Sequence, residues 1–243
     1  MIAARRRVLI GIAAGIAALA ALAVAQQLRR PQTIAPRPAA ERPSLLLLTS
    51  LPLVFGEDFS LQGGGSPALK ALETRYRVIP ISVTDAAGLN KGRLLLMAQP
   101  LAQPAEDLVA LDDWVRSGGR VLLLADPMLE WPSSRPLGDP LRPPPMFMDT
   151  GLLAHWGLRL DAPDDRGPMA AKLGGYDVVT VSPGRLSGGC DVSADRLVAR
   201  CRLGKGAATI VADADLLDGQ YLGGSAGHNL DAVLSELASL ERK

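Results

Sequence analysis

Apolar positions along the chain fall into short runs separated by amphipathic stretches. Ser44–Leu48, Tyr76–Val83, Arg93–Ala98, Arg120–Ala125 and Ala208–Ala212 read as strands, the first and the last two as runs buried on both faces. Between them the period lengthens to that of a helix. Ser66 stands as an N-cap before Pro67 and ALKALETR. Pro104–Ser117 opens with Glu106 and Asp107, which suit the positive end of a helix dipole, and carries Leu108, Leu111 and Val115 on one face before Gly118-Gly119 stops it. A short helix over Thr150–Trp156 ends at Gly157, and Leu158–Leu160 follows as a strand. The final helix, Asn229–Leu240, sets Leu230, Val233, Leu234 and Leu237 in one stripe. Asp177–Ser182 and Asp191–Arg202 look like antiparallel additions. Buried strands alternating with amphipathic helices predict an α/β fold: a mainly parallel sheet flanked by helices, with a small antiparallel addition.

The N-terminus follows another pattern. Val8–Ala25 is an uncharged apolar run of 18 residues between arginine clusters, long enough as a helix to span roughly 27 Å. Two readings remain open. One is a single-pass inner-membrane anchor with its N-terminus in the cytoplasm. The other is a signal peptide cleaved at Ala25, after the small-x-small sequence Ala23-Val24-Ala25. Either places the remainder in the periplasm. Residues 26–43, with Pro31, Pro36, Pro38 and Pro43, read as an extended linker, so the expected organisation is 1–25 anchor or signal, 26–43 linker and 44–243 a single domain.

Composition narrows the classes. Apolar residues make up 48% of the 243, yet only nine are aromatic, so the core is built from Leu, Val, Ile and Ala, and disorder and a polytopic membrane protein are excluded. Residues 1–43 hold seven arginines against Glu41 alone. Removing these from the chain's 26 basic and 25 acidic residues leaves 19 and 24, a net of −5 for the domain. That balance predicts no concentrated basic face and no nucleic-acid partner. Cys190 and Cys201 flank a hairpin-like segment and, in an exported domain, are expected to form a disulfide; two buried free thiols are the alternative.

Candidate chemistry is sparse. Gly223–Gly227 matches G-x-S-x-G around Ser225, but no histidine follows His228, so the match reads as a turn. Gln62–Ser66 and Gly204–Gly206 lack the spacing of phosphate loops. His155 and His228 are too isolated for a metal site, and no cofactor is expected. Parallel sheets hold ligands beyond the carboxyl ends of their strands, and here those ends carry Thr49, Ser50, Gln99, Asp126, Asp213 and Asp215. The acids also suit ordinary capping. A loop with seven prolines between Pro127 and Pro145 leaves the same edge with Trp131, Met128, Met146 and Met148. It either presents these side chains to a partner or packs down as a lid.

The segment LLLMAQPLAQPAEDLVALDDWVRSGGRVLLLADP resembles the central strand–helix–strand unit of the GldG-like, ABC-type uncharacterised transport-system domain family, related to the class I glutamine amidotransferase-like fold. LLAHWGLRL is similar to its short helix, Trp-Gly and strand. GKGAATIVADADLLD with GHNLDAVLSEL is similar to its closing strand, Asp-x-Asp turn and helix begun by Asn229. The resemblance implies a flavodoxin/amidotransferase-like sheet without amidotransferase chemistry, since no Cys-His-Glu set is present. It also implies a non-enzymatic, membrane-associated periplasmic accessory or binding subunit whose partners are the membrane and an ABC transporter permease or ATPase. A cell-envelope hydrolase acting through Ser225 or the strand-end carboxylates is the alternative.

Overall fold

The computed structural model describes residues 34–56, 65–219 and 226–242. The apolar run 8–25 and Ser225 lie outside the described residues. Among those described, no helix is long and apolar enough to cross a membrane.

The first half alternates strictly: β1 (Ser44–Thr49), α1 (Pro67–Glu73), β2 (Arg77–Pro80), α2 (Ala86–Leu89), β3 (Leu94–Ala98), α3 (Ala105–Arg116) and β4 (Arg120–Leu124). After a long loop come α4 (Leu152–His155), β5 (Leu158–Asp161), β6 (Pro168–Leu173), β7 (Tyr176–Val181), β8 (Arg185–Gly188), β9 (Asp191–Val192), β10 (Val198–Leu203), β11 (Gly206–Val211) and α5 (Ala226–Glu241). Seven strands form the main sheet in the order β2-β1-β3-β4-β11-β10-β9. The first five are parallel, and β10 and β9 continue the sheet antiparallel. Two small antiparallel pairs, β5–β8 and β6–β7, stand apart. The chain is thus an α/β domain with a mostly parallel sheet flanked by helices.

The central strands are leucine-rich because both faces are covered: Leu45, Leu46, Leu95, Leu96, Leu122 and Leu123 are wholly buried. Ser66 caps α1 by accepting the Leu69 N–H at 3.0 Å, with Pro67 in the first turn. β2 stops at Pro80, short of the expected Val83, because Asp85 caps α2 through the Gly88 N–H at 2.7 Å. At the β10–β11 turn Gly204 takes φ 59°, and a Cβ on Gly206 would lie 1.9 Å from the Val115 carbonyl oxygen, so β11 can begin against the end of α3 only with glycine.

The expected linker is in part domain. Ile34 packs against the core, the Arg37 N–H donates to the Thr74 carbonyl at 2.9 Å, and the Arg37 guanidinium grips the Glu241 carboxylate at 2.8 and 3.1 Å. The compact unit begins at Ile34 rather than at residue 44.

Candidate functional site

The carboxyl ends of β1, β3, β4 and β11 bring Thr49, Ser50, Gln99, Asp126, Asp213 and Asp215 to one edge of the sheet. Strand order reverses between β1 and β3, the position at which open α/β sheets part to admit a ligand. Here that crevice is bridged. Thr49 Oγ1 donates to the Ala98 carbonyl at 2.8 Å and accepts the Leu51 N–H at 2.9 Å, and the Ser50 hydroxyl donates to the Gln99 carbonyl. Gln99 itself is buried with a left-handed backbone, φ 42°. Its amide joins β3 to β4 and to the loop: Oε1 accepts the Asp126 N–H at 2.9 Å, while Nε2 donates to the Asp126 and Pro144 carbonyls at 3.1 and 3.2 Å.

The three aspartates are likewise occupied. Asp126 accepts the N–H groups of Met128 at 2.8 Å and Ala214 at 2.9 Å. Asp213 accepts those of Val181 at 2.7 Å and Leu216 at 2.9 Å. Asp215 accepts that of Glu130 at 2.9 Å. All three are buried. Burial lifts Asp126 to about 6 against the opposing pull of its amides, and lifts Asp215 to about 7. Asp213 is raised well above the carboxylate range, first by burial and then by the charges of Asp126 and Asp215. The acids act as internal caps that tie β4, β7, β11 and the long loop together.

That loop is strapped to the edge. The Leu129 N–H donates to the Pro145 carbonyl at 2.9 Å and the Phe147 N–H to the Asp126 carbonyl at 2.6 Å. Of the two expectations for the loop, Trp131 follows the lid: it is half-buried and packs against the core with Leu129 and Phe147. Leu137, Leu141, Met146 and Met148 are exposed instead. Asn229 is also spent internally: it lies inside α5 rather than at its start, accepting the Val179 N–H at 2.9 Å and donating to the Val179 carbonyl at 2.8 Å.

Two residues of this edge escaped sequence reasoning. Ser182, at φ 49°, accepts the Gly167 N–H at 2.8 Å and donates to Glu130, whose own N–H meets Asp215. Neither sits in a recognisable motif; the one available signal was a second acid, Glu130, close after Asp126 in a loop that had to return to the sheet. Beside the cluster, a pocket of about 260 Å3 opens over β1 and β2, lined by Thr49, Ser50, Leu51, Phe55, Ile81 and Leu141.

Elsewhere, Cys190 and Cys201 form a disulfide with their Cα atoms 4.9 Å apart. Exposed His155 lies 3.2 Å from Asp112, which also accepts the Trp156 indole N–H at 2.9 Å and so fixes α4 on α3. Among the described residues no group of His, Cys, Asp and Glu has the arrangement to hold a metal ion. The overall balance of −5 conceals an uneven distribution. The domain's net charge averages over an acidic carboxyl edge and a basic amino edge, where Arg77, Lys91, Arg93, Arg120, Arg202 and Lys205 gather.

No family model matches the chain. No curated protein matches it either. Among solved structures it is similar to the mmIFT52 N-terminal domain, with a TM-score of 0.55 at 15% identity over 81% of this chain and 97% of that one. It is similar to a cytoplasmic protein from Salmonella typhimurium with a TM-score of 0.50 at 10% identity, covering 82% and 98%. The exo-β-1,4-mannosidase Op5Man5 from Opitutaceae bacterium strain TAV5 aligns with a TM-score of 0.45 at 14% identity over 82% of this chain. This chain spans 36% of that enzyme's length. These likenesses concern the fold alone.

Proposed function

We propose that the chain is a non-catalytic, membrane-associated accessory or binding subunit of an ABC-type transport system, with its domain in the periplasm and its carboxyl sheet edge as the contact face. The observation that carries this reading is the gathering of exposed apolar side chains there. Phe55, Val83, Leu101, Leu137, Leu141, Met146 and Met148, all in loops of that edge, are between 37% and 76% exposed. Apolar groups left in water along one edge of a folded domain suit a protein contact, and methionine adapts to irregular partners. The occupation of Thr49, Gln99, Asp126, Asp213 and Asp215 in internal bonds supports a scaffold role over a catalytic one. The likeness of 94–127 to the GldG-like family supplies the transport context, and the apolar run 8–25 supplies the membrane.

The test is photocrosslinking in native membranes from a reactive residue at Leu137 or Met146. Capture of a permease or ATPase subunit is expected, and Leu137→Asp with Met146→Asp should abolish it while leaving the melting temperature unchanged. Capture of no transporter component from either position would overturn the reading. The raised Asp126 and Asp215 give the hydrolase alternative its one favourable observation, because carboxyls titrating near neutrality suit acid–base work. Labelling by a serine-reactive probe that vanished in Ser225→Ala would favour that alternative.

A further inference from the structure

We infer that the amino edge of the sheet docks on an anionic phospholipid surface; the inference rests on the membrane association proposed above. The strand register sets the charges in a row. Arg77 lies level with Ser44, and one step further Arg120 is level with Leu94 and with Ala207, which pairs in turn with Arg202. Arg93 and Lys91 precede β3, and Lys205 fills the β10–β11 turn. The connections 74–76, 90–93, 117–119 and 204–205 contain no Asp or Glu, the acids of this edge being Glu41 in the entering segment, Glu73 and Asp113 at the helix ends and Asp191 at the start of β9. Asp85, Asp126, Glu130, Asp213, Asp215 and Asp218 belong to the opposite edge.

These basic side chains also lack carboxylate partners, Arg77 donating to the Ser44 hydroxyl at 2.7 Å and Arg120 to the Gly118 and Lys205 carbonyls at 2.6 and 3.3 Å. Lys172, Arg159, Arg185, Arg196 and Arg200 each meet a carboxylate. Among the described residues Arg77, Lys91, Arg93, Arg202 and Lys205 meet none, and all five are exposed. A row of exposed, unpaired cations repels itself unless an anionic surface faces it, and each such residue adds to the attraction toward charged headgroups.

The path of the chain selects lipid as that surface. The described chain starts at this edge, where the Arg75 guanidinium donates to the Ala35 carbonyl and the Arg77 N–H donates to the Pro43 carbonyl at 2.9 Å. Eight residues, 26–33, separate the last residue of the apolar run from Ile34. Eight residues reach no further than about 28 Å. A membrane anchor at 8–25 would therefore tether the domain by this edge, within reach of the headgroups.

The experiment uses the full-length chain reconstituted in vesicles of phosphatidylcholine alone or with added phosphatidylglycerol, and an energy-transfer acceptor on the headgroups. A donor dye is coupled through a non-natural residue at Lys91, on the amino edge, or at Leu137, on the carboxyl edge. Transfer from position 91 is expected to exceed that from 137 and to rise with phosphatidylglycerol. It should fall about twofold in high salt, or with Arg93→Glu, Arg202→Glu and Lys205→Glu combined, as surface attraction is screened or reversed. The salt arm needs no substitution and stands if the triple variant misfolds. Transfer from position 91 that ignores lipid charge, salt and charge reversal in a chain that floats with the vesicles overturns the docking and leaves membrane association intact. A chain that floats with neither vesicle overturns both. Reversal that splits an oligomer in detergent without changing transfer assigns the edge to a protein contact and overturns the lipid inference.

Discussion

Asp126, Asp213 and Asp215 accept five backbone N–H bonds between them in a setting poor in water, so hydrogen bonding favours their charged forms while burial and mutual repulsion disfavour them. Burial wins at each, and stability is thereby linked to pH. A carboxyl whose folded value lies above its unfolded value of 3.8 contributes most below about pH 4 and loses that contribution as pH rises through the folded value. The urea midpoint is therefore expected to fall from pH 4 towards pH 7 and then level off. Asp126, lifted to about 6, accounts for at most about 3 kcal/mol of that change. Asp126→Asn should flatten the profile between pH 4 and 6 while lowering stability at the acid end, because its amide nitrogen must face one of the two N–H groups that the carboxylate accepts. A midpoint independent of pH in the natural chain would contradict this account. At Asp213 both oxygens are engaged inside the core, so Asp213→Asn should cost about 1–3 kcal/mol at pH 4, measurable by urea unfolding, and less as pH rises, because the variant carries no buried charge to form.

Elements whose burial pattern is complete within their own length were legible from sequence. β1, β3, β4 and β11 are apolar runs because helices cover both their faces, and α1 and α3 carry their own start and stop signals in Ser66, Pro67, Pro104 and Gly118-Gly119. β6 was not legible: PMAAKL is mostly exposed, and its partner β7 decides its conformation. That hairpin in turn covers α5, which explains a final helix buried beyond its single leucine stripe. Asn229 is the pin between them. Asn229→Ala leaves the Val179 N–H and carbonyl without their side-chain partners, so a loss of about 1–3 kcal/mol is expected, with faster hydrogen exchange at Val179 than in the central strands. Equal protection in both forms would assign the hairpin's hold to apolar contact alone. The disulfide acts at the sheet's other margin. It closes a loop with a sequence separation of 11, which the chain-entropy model values at about 3 kcal/mol, so reduction should lower the urea midpoint without altering the far-ultraviolet spectrum at low denaturant.

Over the whole molecule, what the sequence concealed is what only the assembled sheet can reveal: which charges share an edge, and which loop polar groups find one another. Positions 49, 50, 99, 126, 213 and 215 were legible as strand ends. The three aspartates among them are met locally by the amides of Met128 and Leu216, but their bonds from Glu130, Val181 and Ala214 depend on segments that return from far along the chain. The same holds for the two margins of the domain. Pro36 and Pro38 read as spacer, yet Arg37 meets Glu241 across 204 residues of sequence, with Tyr76 donating to the same carboxylate at 3.1 Å and the guanidinium 5.7 Å from the Tyr76 ring. The pair is partly buried and engages both carboxylate oxygens, the geometry in which an ion pair contributes beyond the small value of an exposed one. A chain beginning at residue 44 loses that pair and the packing of Ile34, together about 2 kcal/mol. For a domain of this size that lowers the melting temperature by about 4–8 °C relative to a chain beginning at residue 34. Arg37→Ala in the full-length chain should reproduce about half of the drop, with high salt recovering little of it because the pair is partly shielded. Coincident melting of the chains beginning at 34 and 44 would restore residues 34–43 to the role of a plain linker.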